Sequence, residues 1–228
     1  MRIHTVTSIA VLGSFSTLMN AGTVSGKVVD IANRPVVTAI VTISEQPASL
    51  SKPAAMHGAS TQTSADGTFS FDNLETGTYL LCAQVPRGTL LNPCQWTTTR
   101  PHATLASGTA TTSITLTMRP GYRLPIRVDD PQGLLNAHEG KTPGAHLLIG
   151  VDGGYHFETA TIDSADASGR NVSLLVPFDV HVGVAVQSRF FKVQDQAGNA
   201  IKSAAALPVS VSSADPSSRV TIKVVGNN

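Results

Sequence analysis

The chain has 228 residues, 41% of them hydrophobic and 14% charged, with a formal net charge of +1. Its Lys and Arg residues are scattered, so it has no electrostatic footprint for nucleic acid or for an anionic membrane. The length allows one or two domains, each large enough for a real core, and 13 Pro and 19 Gly among many Ser, Thr and Val residues favour short strands joined by turns over helices.

At the N-terminus, Arg2 and His4 precede an apolar run of about 11 residues, Ile9 to Met19, followed by Asn20-Ala21-Gly22. This is the layout of a secretory signal peptide over residues 1–21, and the run falls short of the ~20 residues needed to span a bilayer. Ala21 suits the last position of a cleavage site, whereas Met19 is larger than the residue preferred two positions earlier. An N-terminal strand or a frayed helix is the competing reading. No Cys follows the run to accept a lipid, and no stable membrane insertion is expected.

From Thr23 to Asp30, Val24, Gly26 and Val28 alternate with Ser25, Lys27 and Val29, which predicts a strand. A turn follows over Asp30 to Pro35, then a second strand with Val37, Ala39, Val41 and Ile43 inward. Glu45 to Ser64 has no period and reads as a long exposed loop. Asp66-Gly67 is a tight turn, and Phe69 and Phe71 leave it on one face of a strand. Leu74 drops under a loop, Gly77 permits a second turn, and Thr78 to Gln84 starts another strand. Ser113 to Met118 closes this sandwich or bridges to the next, with Ile114, Leu116 and Met118 inward.

The chain has two cysteines, Cys82 and Cys94, with eleven residues between them, flanking a loop that holds Pro86, Gly88 and Pro93. In an exported protein they read best as a disulfide closing that loop, worth ~3 kcal/mol on the loop-entropy model. A zinc site would need further ligands, and His102 is the one His near either Cys in sequence.

Taken together, Gly26-Lys-Val28-Val-Asp30, the Pro35 turn, Ala39-Ile-Val41-Thr-Ile43, Asp66-Gly-Thr-Phe69-Ser-Phe71, Leu74 and Gly77-Thr-Tyr79 resemble the carboxypeptidase regulatory-like domain. The resemblance covers roughly residues 22–83 and implies a prealbumin-like sandwich of about seven strands, often grouped with carbohydrate-binding-like folds. The family usually has Gly where Asn33 stands here. Asn tolerates a left-handed backbone, so the turn is expected to survive.

The second half repeats the grammar without so close a match. Arg123 to Asp130 runs into a turn at Asp130-Pro-Gln-Gly133, and Phe191 to Asp195 into one at Gln196-Ala-Gly198-Asn199. With Asp30 to Pro35 these make three copies of a strand, an Asp, a turn and an apolar residue, which we read as recurrent turn chemistry and not as an internal repeat. Further strands are predicted at 145–151, 155–162, 170–176, 181–187, 207–212 and 219–225. The expectation is therefore an all-β chain of two β-sandwich domains (immunoglobulin-/prealbumin-like), over 22–118 and 119–228.

The densest polar set is His138, Glu139, His146, Asp152, His156, Glu158, Asp163 and Asp166. His138-Glu139 falls in a Gly- and Pro-rich loop, whereas the His-Glu zinc motif needs a helix. His146 and His156 flank the Gly153-Gly154 turn and could meet across a hairpin, but ordinary exposed strand histidines are the preferred reading. There is no Gly-x-Ser-x-Gly elbow, phosphate loop or dinucleotide fingerprint. The family name is no evidence for catalysis, because the regulatory domain is an accessory sandwich beside a catalytic domain. No enzyme, cofactor or metal is expected.

Candidate binding residues are Trp96, the single Trp, together with Tyr155 and His156 just past the glycine turn; Tyr122 is a further exposed-ring candidate. Aromatic rings on sandwiches serve as sugar platforms. For Trp96 we prefer packing on the disulfide or in the seam between sandwiches. The sequence thus describes a secreted or periplasmic binding or scaffold module, with carbohydrate the ligand class that the resemblance implies. A structural or protein-interaction module is the first alternative, and an enzyme with a metal near Asp152 the second.

Overall fold

Alternation of buried and exposed side chains sets the strands of this protein, and the three Asp turns join several of them. The computed structural model describes residues 21–46, 58–97, 99–107, 111–135, 146–152, 157–202 and 206–226. The expected signal peptide over 1–21 lies outside them except for Ala21. Among the described residues the elements are strands: β1 (Gly22–Asp30), β2 (Ile40–Glu45), β3 (Gly58–Gln62), β4 (Thr68–Leu74), β5 (Gly77–Gln84), β6 (Leu90–Leu91), β7 (His102–Leu105), β8 (Thr111–Asp129), β9 (Leu147–Asp152), β10 (Phe157–Thr159), β11 (Thr161–Asp166), β12 (Gly169–Pro177), β13 (His181–Ser188), β14 (Phe191–Asp195), β15 (Ala200–Ile201), β16 (Leu207–Ser210) and β17 (Val220–Gly226). The chain is all-β, and among the described residues no helix is long and apolar enough to cross a membrane.

One large sheet runs β11-β12-β8-β17-β14-β15, and β1 joins it by pairing with β8, with β4 on β1. Two four-stranded sheets, β3-β2-β5-β7 and β10-β9-β13-β16, carry the facing core residues of its two halves. Between the first pair of layers lies a core of Val24, Val28, Val41, Phe69, Phe71, Tyr79, Leu81, Leu116 and Met118. Between the second lies another, built on Leu124, Ile126, Val128, Val151, Leu174, Val184, Ile222 and Val224.

β8 supplies both cores. Its first half runs parallel to β1, from Thr23↔Thr111 to Asp30↔Met118. Its second half pairs antiparallel with β12, and its last residues pair parallel with β17. The sequence predicts two strands here, Ser113 to Met118 and Arg123 to Asp130; the structure has one strand of 19 residues. Pro120 and Gly121 at its middle are accommodated locally. Gly121 N–H donates to the Thr89 carbonyl at 2.7 Å, and a Cβ on Gly121 would lie 2.7 Å from Leu91 Cδ2 and 2.8 Å from the Val176 oxygen. A side chain there would collide with Leu91 and the β12 backbone, so glycine is needed for close approach.

Other differences from the sequence reading have equally local causes. Val37 is 46% exposed and not inward, because Thr38 at φ 57° interrupts the alternation and Val36 takes the inner position. The expected loop over Glu45 to Ser64 contains β3, an edge strand of small polar residues whose mostly exposed side chains leave no period to read. The stretch predicted as one strand over 155–162 divides into β10 and β11, which belong to different sheets. The crossing is at Ala160, whose N–H donates to the Ile149 carbonyl at 2.8 Å.

The three Asp turns are built alike. In each, the residue three positions on donates its N–H to the Asp carbonyl and has a left-handed backbone: Asn33 at φ 60°, Gly133 at φ 66° and Gly198 at φ 87°. The Asp carboxylate accepts from the N–H four positions on, namely Arg34, Leu134 and Asn199. Asn33 thus adopts the left-handed backbone that the turn requires, as expected from its sequence.

Candidate functional site

The loop between β5 and β7 is where the two cores meet. Leu81 and Ala83 of β5 point into the first core, so Cys82 faces outward, and it is joined to Cys94 by a disulfide with Cα atoms 5.4 Å apart. This bears out the predicted pairing. Within the closed loop, Gly88 N–H donates to the Val85 carbonyl in a turn that holds Arg87 at φ 56°. Leu90 and Leu91 then pair with Pro120 and Arg119 of β8. Asn92 shapes the exit: its Oδ1 accepts from Cys94 N–H at 2.9 Å and its carbonyl from Gln95 N–H at 3.0 Å.

The next residue, Trp96, packs against the second core, as do Tyr122 and Phe178, whose rings lie 6.1 Å apart. A side chain from the first half of the chain therefore packs on the second core. Gln95 is fully buried, and among the described residues neither its amide oxygen and nitrogen nor the buried Trp96 Nε1–H has a hydrogen-bond partner. A buried donor without a partner costs about 1–3 kcal/mol.

Several clefts border this loop, and two of them take in residues from both halves of the chain. One, of about 510 Å³, is mainly apolar, with Ile31, Leu91, Trp96, Pro120, Phe178 and Val180 on its walls. The other, of about 270 Å³, is polar, and takes in Arg87, Arg123, Glu158, Thr159 and Thr161. Asn92 lines both. Arg123 is fixed in place, its Nε donating to the Arg87 carbonyl at 3.2 Å and its Nη1 to Ser173 Oγ at 2.7 Å.

The remaining sequence candidates are dispersed or engaged elsewhere. Tyr155, His156, His138, Glu139 and the Gly153-Gly154 turn lie outside the described residues. His146 meets the Phe190 ring edge to face at 4.3 Å. Asp163 accepts from Ser173 Oγ at 3.1 Å. Asp166 forms a two-pronged ion pair with Arg127 at 2.6 and 3.1 Å and also accepts from Ser168. Arg127 first, and Ser168 after it, hold the Asp166 carboxyl well below the usual carboxylate range. That arrangement ties the β11–β12 hairpin to β8. Among the described residues no three His, Cys, Asp or Glu side chains converge to hold a metal ion. Sequence reasoning missed Arg87, Arg123, Ile31 and Phe178; the sole local sign is that Arg87 stands in a Pro-Arg-Gly turn.

Residues 23–119 match the family model of the carboxypeptidase regulatory-like domain, which places that domain in the N-terminal part of the chain. No curated protein matches the chain. Among solved structures it is similar to a streptococcal ancillary pilin, with a TM-score of 0.42 and 11% identity over 93% of this chain and 64% of that one. It is also similar to the Bacillus anthracis TIE protein, with a TM-score of 0.34 and 12% identity over 90% of this chain and 34% of that one. The shaft pilin SpaA of Lactobacillus rhamnosus GG gives a TM-score of 0.34 and 13% identity over 91% and 99%. The chain thus spans less than two thirds of the first two relatives.

Proposed function

We propose that this chain is a non-catalytic binding module, made of two sandwiches over 22–118 and 119–228, that takes its ligand on the cystine loop at the seam. The observation that carries the reading is Trp96, whose ring lines an apolar cleft. The ring offers an apolar face to a ligand beside the polar groups of Asn92, Thr97 and Arg119. Carbohydrate is the ligand class that the domain family suggests. Secretion or export to the periplasm is the matching location, because disulfides persist in oxidising compartments.

The test is a panel of polysaccharides and oligosaccharides against wild type, Trp96→Phe and Trp96→Ala, with Tyr155→Ala for the second aromatic proposed from sequence. Trp96→Ala removes the ring face, so glycan affinity is expected to fall at least tenfold, about 1.4 kcal/mol, whereas Trp96→Phe keeps an apolar ring and is expected to lose less. Binding that ignores both Trp96 variants would overturn the site. A protein ligand is the second reading, favoured by Ile31 and Val180, which stand 64% and 47% exposed on the rim of the cleft. Absence of all glycan binding would select it.

A further inference from the structure

The polar cleft on the other side of the cystine loop has no part in the packing just described, yet it is built with care. Arg123 projects from β8 beside Leu175, its cross-strand neighbour on β12. Its guanidinium is pinned by the Arg87 carbonyl and by Ser173 Oγ, and Ser173 is itself 6% exposed and backed by Asp163. Two of five N–H donors are used, which leaves the others for a ligand. Arg87, the second guanidinium, is exposed, and the backbone that presents it is in the left-handed region, uncommon for a side chain of this kind. Among the described residues neither Arg87 nor Arg123 has a carboxylate within ion-pair distance. With Glu158 the one acidic residue on the lining, the cleft has a net positive charge.

Two planar forks, one rigid and one free to close, with hydroxyl and amide groups of Thr159, Thr161, Gln84 and Asn92 around them, match a carboxylate on a hydroxyl-rich scaffold. We propose that this cleft binds the carboxylate of an acidic sugar, so that the glycan taken by the cystine loop is a uronic-acid polymer. The inference rests on the binding-module reading above and names its ligand class. Asn92, common to both clefts, places the acid-binding wall and the Trp96 wall on one loop.

The experiment is calorimetric titration of the full chain with trigalacturonic acid, its fully methyl-esterified form, maltotriose and triglutamate. The variants are Arg123→Gln, Arg87→Gln and Arg189→Gln, an exposed arginine that lines neither cleft. Trigalacturonic acid is expected to bind at least tenfold more tightly than its ester, and each cleft variant to lose at least tenfold while Arg189→Gln loses nothing. Raising salt from 50 to 500 mM should weaken binding of the acid and leave the ester unaffected. Arg87→Gln decides the matter should Arg123→Gln disturb the fold, because the Arg87 side chain is exposed. Equal affinity for acid and ester overturns the proposal, as does an unchanged affinity in Arg87→Gln. If ester and maltotriose bind through Trp96 and ignore both arginines, the binding-module reading stands and this inference alone fails. Triglutamate binding as tightly as trigalacturonic acid would likewise overturn the sugar assignment.

Discussion

Replacing both Cys82 and Cys94 by Ala removes the closure of the loop that leads into Trp96 while leaving both cores chemically intact. The bond joins positions separated by 12 residues. For a loop of that size the chain-entropy relation gives a loss of about 3 kcal/mol at 25 °C. With a urea dependence of about 1–3 kcal/mol per molar, the unfolding midpoint should fall by about 1–3 M. The single Trp lies two residues beyond the bond and packs on the second core, so its fluorescence reports that contact, whereas far-UV circular dichroism reports all the strands. In the double variant the native emission of Trp96 is expected to shift to the red before any denaturant is added, with the β signal retained. A loss below about 1 kcal/mol together with unchanged emission would refute the reasoning. The pairing of Leu90 and Leu91 with β8, and the Gly121 bond to Thr89, would then hold the loop unaided.

Two further perturbations address the first core and the turn that feeds it. Phe71 is 6% exposed, 6.0 Å from the Phe69 ring and paired with Val24, so Phe71→Ala should cost ~3–5 kcal/mol in urea unfolding; a loss under about 1 would mean the ring does not fill the core. The Asp66 carboxyl is held at about 2, against an ordinary 3.8, by hydrogen bonds from the Ser64 and Thr68 hydroxyls and the Thr68 N–H. Because the folded value is the lower one, this stabilisation is complete above about pH 4 and is lost as pH falls towards 2. Asp66→Asn should flatten stability over that window, and an NMR titration of Asp66 with a midpoint near 4 would contradict the assignment.

The β4 hairpin was legible because its information is local. Asp66-Gly67 specifies a turn, and Phe69 and Phe71 then fall on one face whatever the rest of the chain does. The Asp turns were legible for the same reason, down to Asn33 in the left-handed region. β3 and β7 escaped because they are edge strands with too few inward residues to establish a period. The seam could not be read at all: Ile31, Trp96, Pro120 and Phe178 come from four separate segments, and nothing in one segment signals the others. Trp96 was found as a rare residue beside a cysteine, whereas Arg123 looked like any polar position on an alternating strand. Its role depends on Arg87 and Ser173, which the fold brings from 36 and 50 residues away.

The continuous β8 also decides how the molecule bears load. β1 runs parallel to its first half and β17 parallel to its last residues, so a pull applied between Gly22 and Gly226 acts along the strand axis at both ladders. The force on each is shear, shared by all the rungs from Thr23–Thr111 to Asp30–Met118 and from Val220–Ile126 to Lys223–Asp129, and not a peeling force that opens one rung at a time. β8 acts as a tie rod past both cores, and Gly121 and Thr89 brace its midpoint. Tension passes from one end to the other along hydrogen-bonded backbone, without crossing a flexible linker.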